Sequence, residues 1–171
     1  GNTSASPLNE NLVLENITID GAKRTPFDIH GVNNVTLTDL TATNTTSGNG
    51  INLTGVHNAT VTNFTGSNNE WGAIAVYASR PVNRGSDNIT IDGTTLNIDG
   101  NVYSQDDLEN YCTGDDCPVT GDLVNTNVTV TGWDYKVFND DFRPSQYADG
   151  PEYTLFAPNA SAAATLAQGL N

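Results

Sequence analysis

An internal repeat limits the possible folds of this chain more than any other feature. Residues 27–44 (FDIHGVNNVTLTDLTATN) align without a gap to residues 51–68 (INLTGVHNATVTNFTGSN), at an offset of 24. Apolar residues match across the alignment, and Gly31 matches Gly55. A period of about 20 to 50 residues is typical of solenoids, propellers and other repeat architectures. We therefore expect one supersecondary unit to recur along the chain.

Hydrophobicity alternates with a period of two inside each unit. The run Val-Thr-Leu-Thr at residues 35–38 is an example. Such alternation predicts short strands with one inward and one outward face. The turn sequences between the runs are rich in Asn and Gly, which accept the positive φ of tight bends. Each unit is predicted to contain about three strands, and stacked units pair equivalent strands about 4.8 Å apart.

A short motif extends the repeat beyond the aligned segments. It has the form Asn-apolar-Thr-apolar and begins at Asn16, Asn88 and Asn127. Together with Asn34 and Asn58, these asparagines give successive spacings of 18, 24, 30 and 39. The unit is therefore about 24 residues long, shortened once and lengthened by later insertions.

These repeats resemble those of the right-handed parallel β-helix proteins, the pectate-lyase-like superfamily. The resemblance covers about residues 9–97 and returns at 122–131. It implies an all-β fold, a right-handed parallel β-helix of about five coils. It also implies that the first Asn of each motif stacks in a turn ladder: Asn16, Asn34, Asn58, Asn88 and Asn127. An antiparallel sandwich with similar strands is the alternative.

The domain organisation follows from where the repeat stops. Residues 1–131 are expected to form the coils, with an acidic insertion at 98–121, and residues 132–171 a capping and assembly segment. This last segment contains seven aromatic residues, which can seal an open β-helix end, stack on sugars or bind another subunit. They are Trp133, Tyr135, Phe138, Phe142, Tyr147, Tyr153 and Phe156.

The two ends of the chain are predicted to differ. A short helix is expected near the C-terminus, capped by Asn159 or Ser161 and ended by Gly169. At the N-terminus, a strand-like run begins by Leu12 with no obvious cap before it. The unpaired backbone of an open β-helix end is a template for another chain. We therefore expect either that this chain is a piece of a longer protein or that a neighbouring molecule covers its first coil.

The insertion contains two candidate sites. Cys112 and Cys117 close a short loop, and a local disulfide there indicates an oxidising, extracellular compartment, with two inert thiols as the alternative. Five carboxylates offer the several hard oxygen ligands that Ca²⁺ binds, and a solvated acidic loop is the simpler alternative. They are Asp106, Asp107, Glu109, Asp115 and Asp116.

Asn-x-Ser/Thr sequons support an exported glycoprotein, although a repeat rich in Asn and Thr also produces such triplets by chance. Besides Asn2, the candidates are Asn16, Asn34, Asn44, Asn52, Asn58, Asn63, Asn88, Asn127 and Asn159.

Charge excludes two classes of partner. The 171 residues include 20 acidic and 6 basic residues, for a formal net charge of −14. Nucleic acids and anionic membrane surfaces attract clustered Lys and Arg, so neither is an expected partner. No apolar run approaches the roughly 18 residues of a spanning helix.

The sequence shows no recognisable catalytic set, so we expect no enzyme and assign no catalytic residue. Asp20 and Asp92 are the only acids in register with the outward Thr residues, in one shared outward rank. Two coils lie between them, and a separation of about 14 Å, three coil spacings, exceeds the roughly 6.5–9.5 Å of an inverting pair. His30 and His57 occupy non-equivalent positions, which favours structural roles. The basic residues form no constellation: Lys23, Arg24, Arg80, Arg84, Lys136 and Arg143.

Outward Thr residues form a further regular pattern. They resemble the ice-binding faces of some antifreeze β-solenoids, but Thr is also a common exposed strand residue. The residues are Thr36, Thr38, Thr60, Thr62, Thr90 and Thr129.

The leading functional hypothesis is an extracellular structural or adhesive module at the cell surface. It is expected to self-associate end to end into a filament or surface layer, with glycans as further partners and Ca²⁺ as the only cofactor considered. The alternative is a carbohydrate-active β-helix, either a fragment of a polysaccharide lyase or glycoside hydrolase or a glycan-binding module.

Overall fold

Short parallel strands wind around a single apolar core in this protein. The computed structural model describes residues 9–78, 85–105, 128–133, 135–139 and 153–169. They form a parallel β-solenoid of about four turns, with β11 (Val128–Thr131) beginning a further turn. The predicted parallel β-helix is therefore confirmed, and the antiparallel sandwich is wrong.

The strands belong to two sheets. The first sheet contains β1 (Asn9–Asp20), β3 (Val32–Thr43), β5 (His57–Thr62), β6 (Thr65–Ser67), β8 (Asp87–Asp92), β9 (Asn97–Ile98) and β11. The second contains β2 (Phe27–His30), β4 (Asn49–Thr54), β7 (Gly72–Tyr77), β10 (Val102–Gln105), β12 (Tyr135–Asn139) and β13 (Tyr153–Ala157). A 3₁₀ turn (Gly93–Thr95) separates β8 from β9, and one helix, α1 (Ala160–Gly169), follows β13.

The first sheet bends where single residues adopt positive φ. Asn16 in β1 and Asp39 in β3 have φ values of 55° and 54°. The inward alternation shifts at the bend, so that Leu37 and Leu40 are both buried although the strand period of two would place them on opposite faces. Each coil therefore presents three faces: the part of the first sheet before the bend, the part after it, and the second sheet. This agrees with the three short strands predicted for each unit.

Inward aliphatic side chains form columns through the stack. In the first face, Leu37 pairs in register with Val61, and Val61 with Ile91. All three are 0% exposed. Burying each such side chain stabilises the fold by about 1.5–3 kcal/mol, so the columns are the main source of stability.

Phe64 fills the core at the corner between β5 and β6 and is fully buried. Its ring packs against two glycines: a Cβ on Gly50 or Gly66 would lie 2.8 Å or 2.7 Å from ring carbons. The aligned segments have Leu40 at the equivalent position, so the larger ring of the second unit is accommodated by small neighbours.

The coil spacing corrects one part of the sequence alignment. Leu12 pairs with Val35, at a sequence separation of 23 and not at the predicted spacing of 18. Asn11 therefore occupies the position of Asn34, while Asn16 aligns with Asp39. The motif beginning at Asn16 was assigned to the wrong face because Val13 and Glu15 replace the outward Thr residues that marked the other units.

At the C-terminal end, the second sheet changes strand direction. β13 pairs antiparallel with both β10 and β12, whereas β10 still pairs parallel with β7. α1 contacts β12 and β13. Its first turn is capped as predicted, because the backbone N–H of Ala162 donates to Asn159 Oδ1 at 2.9 Å. The two antiparallel strands were not predicted.

Two of the seven aromatic residues proposed as a cap are placed against the coils. Phe156 belongs to the core, and the Trp133 indole N–H donates to the Gly93 carbonyl at 3.1 Å. Phe142 and Tyr147 lie outside the described residues, and the side chains of Tyr135, Phe138 and Tyr153 are not described.

Candidate functional site

The first coil presents an open β-edge. β1 pairs only with β3, and β2 pairs only with β4, within the part of the chain that the structure describes. The outer edges of β1 and β2, which we call the open edge, therefore carry backbone N–H and C=O groups that no described strand pairs. An exposed edge of this kind is a template for another strand.

Inward side chains at the open edge are only half-covered. Four of them pack against the core but stay partly exposed: Leu12, Leu14, Ile17 and Ile19. On the outer side of β1, Val13 is 57% exposed and is the one exposed large hydrophobic residue among those described. The open edge thus joins unpaired backbone to an apolar strip, within a segment that also carries Glu10, Glu15 and Asp20.

An asparagine ladder runs along the corner that precedes the first face. Asn11, Asn34, Asn58 and Asn88 all adopt positive φ, which Asn tolerates better than most residues. Asn34 Nδ2 donates to Asn11 Oδ1 at 3.3 Å, and Asn88 Nδ2 donates to Asn58 Oδ1 at 2.6 Å. Between these rungs, Asn58 Nδ2 donates to Asn33 Oδ1 at 2.7 Å, beside Asn34. The predicted ladder is confirmed for Asn34, Asn58 and Asn88.

Two more corners carry similar ladders. After the second face, Asn68 Nδ2 donates to Asn44 Oδ1 at 2.7 Å, and Asn44 Nδ2 donates to Asp20 Oδ1 at 2.6 Å. Between the first and second faces, Asn63 Nδ2 donates to Asp39 Oδ1. These amide nitrogens all donate toward the preceding coil, so the ladders have a direction.

The sequons follow from this architecture. A corner Asn with positive φ is followed by an inward apolar residue and then by an outward Thr, as in Asn34-Val35-Thr36. The same geometry produces the sequons at Asn16, Asn58, Asn63 and Asn88. The repeat therefore explains many of these triplets without reference to glycosylation.

The two candidate carboxylates, Asp20 and Asp92, lie on different faces of the solenoid. Asp20 pairs with Thr43 after the bend, whereas Asp92 pairs with Thr131 before it. Asp92 Oδ1 accepts hydrogen bonds from the backbone N–H and hydroxyl of Thr94 at the 3₁₀ turn. The suggestion that the two acids share one outward rank is wrong, and a carboxylate pair is excluded by their positions.

Asp20 instead anchors its corner ladder. Its carboxylate accepts from Thr43 Oγ1 at 2.7 Å as well as from Asn44. Hydrogen bonds from Thr43, and secondly from Asn44, hold the pKa of Asp20 below its usual value because they favour the ionised form.

Each histidine is paired with a carboxylate. Asp28 and His30 lie on the outward side of β2, with His30 Nε2 and Asp28 Oδ1 2.8 Å apart. The hydrogen bond with Asp28 raises the pKa of His30, and the one with His30 lowers the pKa of Asp28. His57 Nδ1 lies 2.5 Å from Asp87 Oδ1 and links two successive coils. The alternation of β2 could have revealed the Asp28–His30 pair from the sequence. The His57–Asp87 pair could be found only from the strand register between coils.

A buried polar network on the second sheet was not predicted. Tyr103 Oη donates to Asn49 Oδ1 at 3.0 Å, and the Tyr77 and Tyr103 hydroxyls are 2.7 Å apart. Asn49 Nδ2 also donates to Asn52 Oδ1, and Asn52 Nδ2 donates to Thr25 Oγ1. Asn49 and Tyr103 are fully buried, so these bonds satisfy groups that would otherwise be costly to bury.

The outward Thr residues lie in register, as predicted. Thr60 pairs with both Thr36 and Thr90, and Thr90 pairs with Thr129. The Thr38 and Thr62 hydroxyls lie 3.2 Å apart. Val13 and Glu15 continue these rows into the first coil without a hydroxyl, while ice binding itself stays a prediction.

Several predicted sites lie outside the described residues. They are Cys112 and Cys117, Asn127, the five carboxylates proposed for Ca²⁺, and Arg80, Arg84 and Arg143. Within the described ranges, no three His, Cys, Asp or Glu side chains are grouped to hold a metal ion. No described helix is long and apolar enough to cross a membrane.

Comparisons of this chain with protein-family models, with curated proteins and with solved structures gave no match.

Proposed function

We propose that this protein is an extracellular structural or adhesive module that assembles end to end with copies of itself through the open edge. The observation that carries the proposal is the outer edge of β1, a 12-residue strand whose inner edge pairs with β3 along its length. A strand docked on the outer edge would repeat the pairing that already holds the coils together. The closely spaced Cys112 and Cys117 support an extracellular location, since a local disulfide between them would form in an oxidising compartment.

A second copy is the occupant that fits this edge. At the opposite end of the first sheet, β11 and β9 end the strand order, and no described strand pairs with their outer edges. β11 has the same alternation as β1, with Val128 and Val130 buried and Thr129 and Thr131 exposed. The second sheet is extended at that end by β13 and β12, so the contact uses the first sheet.

Magnitudes indicate a reversible contact. Completing the burial of the four half-buried side chains contributes about 1 kcal/mol each, half the value for a fully exposed residue. The total gain is about 4 kcal/mol. Association costs about 4–15 kcal/mol, so burial of these side chains offsets no more than the smallest value in that range. Backbone pairing along β1 must supply the rest, and assembly should therefore depend on concentration.

The charge of the protein should make assembly depend on salt concentration as well. Each copy carries a formal net charge of −14, so two copies repel each other at low salt. Screening shortens the range of this repulsion to about 3 Å at 1 M ionic strength. End-to-end assembly should increase with salt.

Sedimentation velocity and electron microscopy of the purified, unglycosylated full chain test the proposal. We expect linear assemblies that grow with protein and salt concentration. Leu14→Lys places a charge at the open edge and should abolish them, whereas Thr60→Lys, the same charge on an interior coil, should not. Circular dichroism checks that both variants fold. A chain that stays monomeric throughout, or a Leu14→Lys variant that assembles normally, contradicts the proposal.

A carbohydrate-active or glycan-binding β-helix is the second candidate. It is favoured by a strip of outward polar groups on β2 and β4, in which Asp28 pairs with Asn52 and His30 with Thr54. Carboxylate, imidazole, amide and hydroxyl groups together suit a sugar. Binding or cleavage of an acidic polysaccharide that is lost in His30→Ala would support this candidate at the strip. Absence of both binding and cleavage in the wild-type chain would remove the candidate, and retention in His30→Ala would exclude the strip as its site.

A further inference from the structure

The direction of the corner ladders separates the sequon asparagines into two chemical groups. In the first group, the side-chain amide nitrogen donates a hydrogen bond to a side chain of the preceding coil. Its members are Asn34, Asn44, Asn52, Asn58, Asn63 and Asn88. In the second group, the nitrogen makes no hydrogen bond among the described residues, and its members are Asn16 and Asn159.

Asn16 differs from the ladder asparagines for a structural reason. The ladder nitrogens donate toward the preceding coil, and Asn16 belongs to the first coil described, at the open edge. Its register neighbour in the next coil is Asp39, which has no N–H group in its side chain to donate to Asn16. Asp39 Oδ1 already accepts from Asn63. The Asn16 amide is therefore exposed and has no rung partner among the described residues.

Asn159 is available in a different way. Its Oδ1 accepts from the Ala162 backbone N–H as the cap of α1, while Nδ2 has no described partner. Asn159 and the two residues after it are exposed. A substituent on Nδ2 leaves the capping oxygen in place.

We infer that Asn16 and Asn159 are the N-glycan acceptors among the described sequons, and that the ladder asparagines remain unmodified. The inference rests on the extracellular location in the proposed function. Rungs repeat about every 4.8 Å along a corner, a distance comparable to the width of one sugar ring. A ring on the nitrogen of Asn58 or Asn88 would therefore lie against the adjacent rungs and disrupt the ladder.

The modification is a group transfer from a lipid-phosphate-linked oligosaccharide. The Asn16 Nδ2 forms a bond to the anomeric carbon and loses one proton. The bond from that carbon to the phosphate oxygen breaks, and the lipid phosphate leaves with the electron pair. The remaining N–H and Oδ1 of the amide are retained.

A glycan on Asn16 would also regulate the open edge. A coil docked below the first coil would place its own corner rung about 4.8 Å from Asn16. That space is taken by the first sugar when Asn16 is modified. Glycosylation of Asn16 and end-to-end pairing should therefore exclude each other.

Site mapping on the folded, secreted full chain tests the inference. The chain is produced in a host with an oligosaccharyltransferase, and glycopeptides are identified by mass spectrometry. We expect glycans at Asn16 and Asn159. Asn16→Gln should remove one glycan from the intact mass, and the control Asn58→Gln should remove none. A glycan on any ladder asparagine in the folded fraction, or an unmodified Asn16, overturns the inference.

A separate measurement distinguishes this result from the assembly proposal. Sedimentation of glycosylated wild-type and Asn16→Gln chains should show assembly only in the variant. If the unglycosylated chain does not assemble at all, the proposed function fails while the mapped sites still stand. If the chain assembles equally with a glycan at Asn16, the regulatory part of the inference is wrong.

Discussion

Leu14 in the first coil and Leu37 in the second occupy the same position of the repeat and pair in register. Leu37 is completely buried, whereas Leu14 remains partly exposed. The residue type and the inward direction are alike, so neither explains the difference. A solenoid coil buries its inward side chains only when it has a coil on each side, because each repeat contacts its neighbours alone. Among the described residues, the comparison shows that the inward side chains of the first coil still have surface to bury.

The largest expected effect comes from placing a charge at the two matched positions. Leu37→Asp buries an unpaired carboxylate, with a penalty of several kcal/mol. That is a large part of the about 5–15 kcal/mol that stabilises a typical domain. We expect Leu37→Asp to be unfolded, whereas Leu14→Asp should fold with a lowered melting temperature, as measured by circular dichroism. A wild-type melting temperature for Leu37→Asp would contradict the assignment of the column.

A smaller effect is expected in the asparagine ladder. Asn58 has φ 54° and hydrogen-bonds both adjacent coils, whereas Asn11 has φ 62° and one such bond in the described structure. Asn58→Ala should lower the free energy of unfolding by about 1–2 kcal/mol, because Ala is strained in the left-handed conformation. Loss of the rung hydrogen bonds should lower it further. Asn11→Ala should lose less, because the first coil is half-exposed and can open locally.

A glycine substitution at Asn58 separates the cost of the left-handed backbone from the loss of the rung hydrogen bonds. Gly accepts positive φ, so Asn58→Gly removes only the rung bonds and should be milder than Asn58→Ala in urea unfolding. If Asn58→Ala and Asn11→Ala lower the free energy of unfolding equally, the rungs do not couple the coils.

The smallest expected effect concerns the histidine pair on the first coil. Asp28 raises the pKa of His30 above 6.5 through their hydrogen bond, and the pKa of Asp28 lies below 3.8 in return. Protonated His30 therefore stabilises the fold at low pH, and this contribution is lost as pH rises through the raised pKa. The Asp28 contribution is lost as pH falls through the lowered pKa, so the pair stabilises most between the two.

An NMR titration of the His30 ring checks this prediction. Asp28→Asn should shift the His30 pKa back toward 6.5, because the charged acceptor is removed. The effect on global stability should be small, since both side chains are about half exposed and solvent screens their interaction. An unchanged His30 titration in Asp28→Asn would show that the two side chains do not interact in solution.

Much of the fold follows from the sequence because a solenoid repeats one local pattern. The gapless alignment identified Val35, Leu37 and Val61 as inward, and the alternation placed Thr36 and Thr60 outward; both are confirmed. The capped C-terminal helix was also predictable, since Asn159 and the following alanines act locally. Each of these features depends on residues close together in the chain or on an exact repeat.

The candidate site was less accessible from sequence. The open end was expected from the strand-like run near Leu12, but the ladder at Asn16 was misassigned because the first coil lacks the marker threonines. The Asn49–Tyr103 bond joins two residues of different coils that no period connects. The antiparallel pairing of β13 likewise depends on a strand that returns beside β10, which no local pattern indicates.

The sequence by itself determined the winding of the chain: alternating strands, corner asparagines and a unit of about 24 residues with later insertions, because these are local preferences repeated along the chain. Only the tertiary structure decided which side chains line the open edge and which asparagine amide lacks a rung partner among the described residues. Both properties depend on what lies above and below a residue in the stack, and those neighbours are far from it in the sequence. The same Asn-apolar-Thr triplet is therefore a rung in one coil and an exposed amide in another.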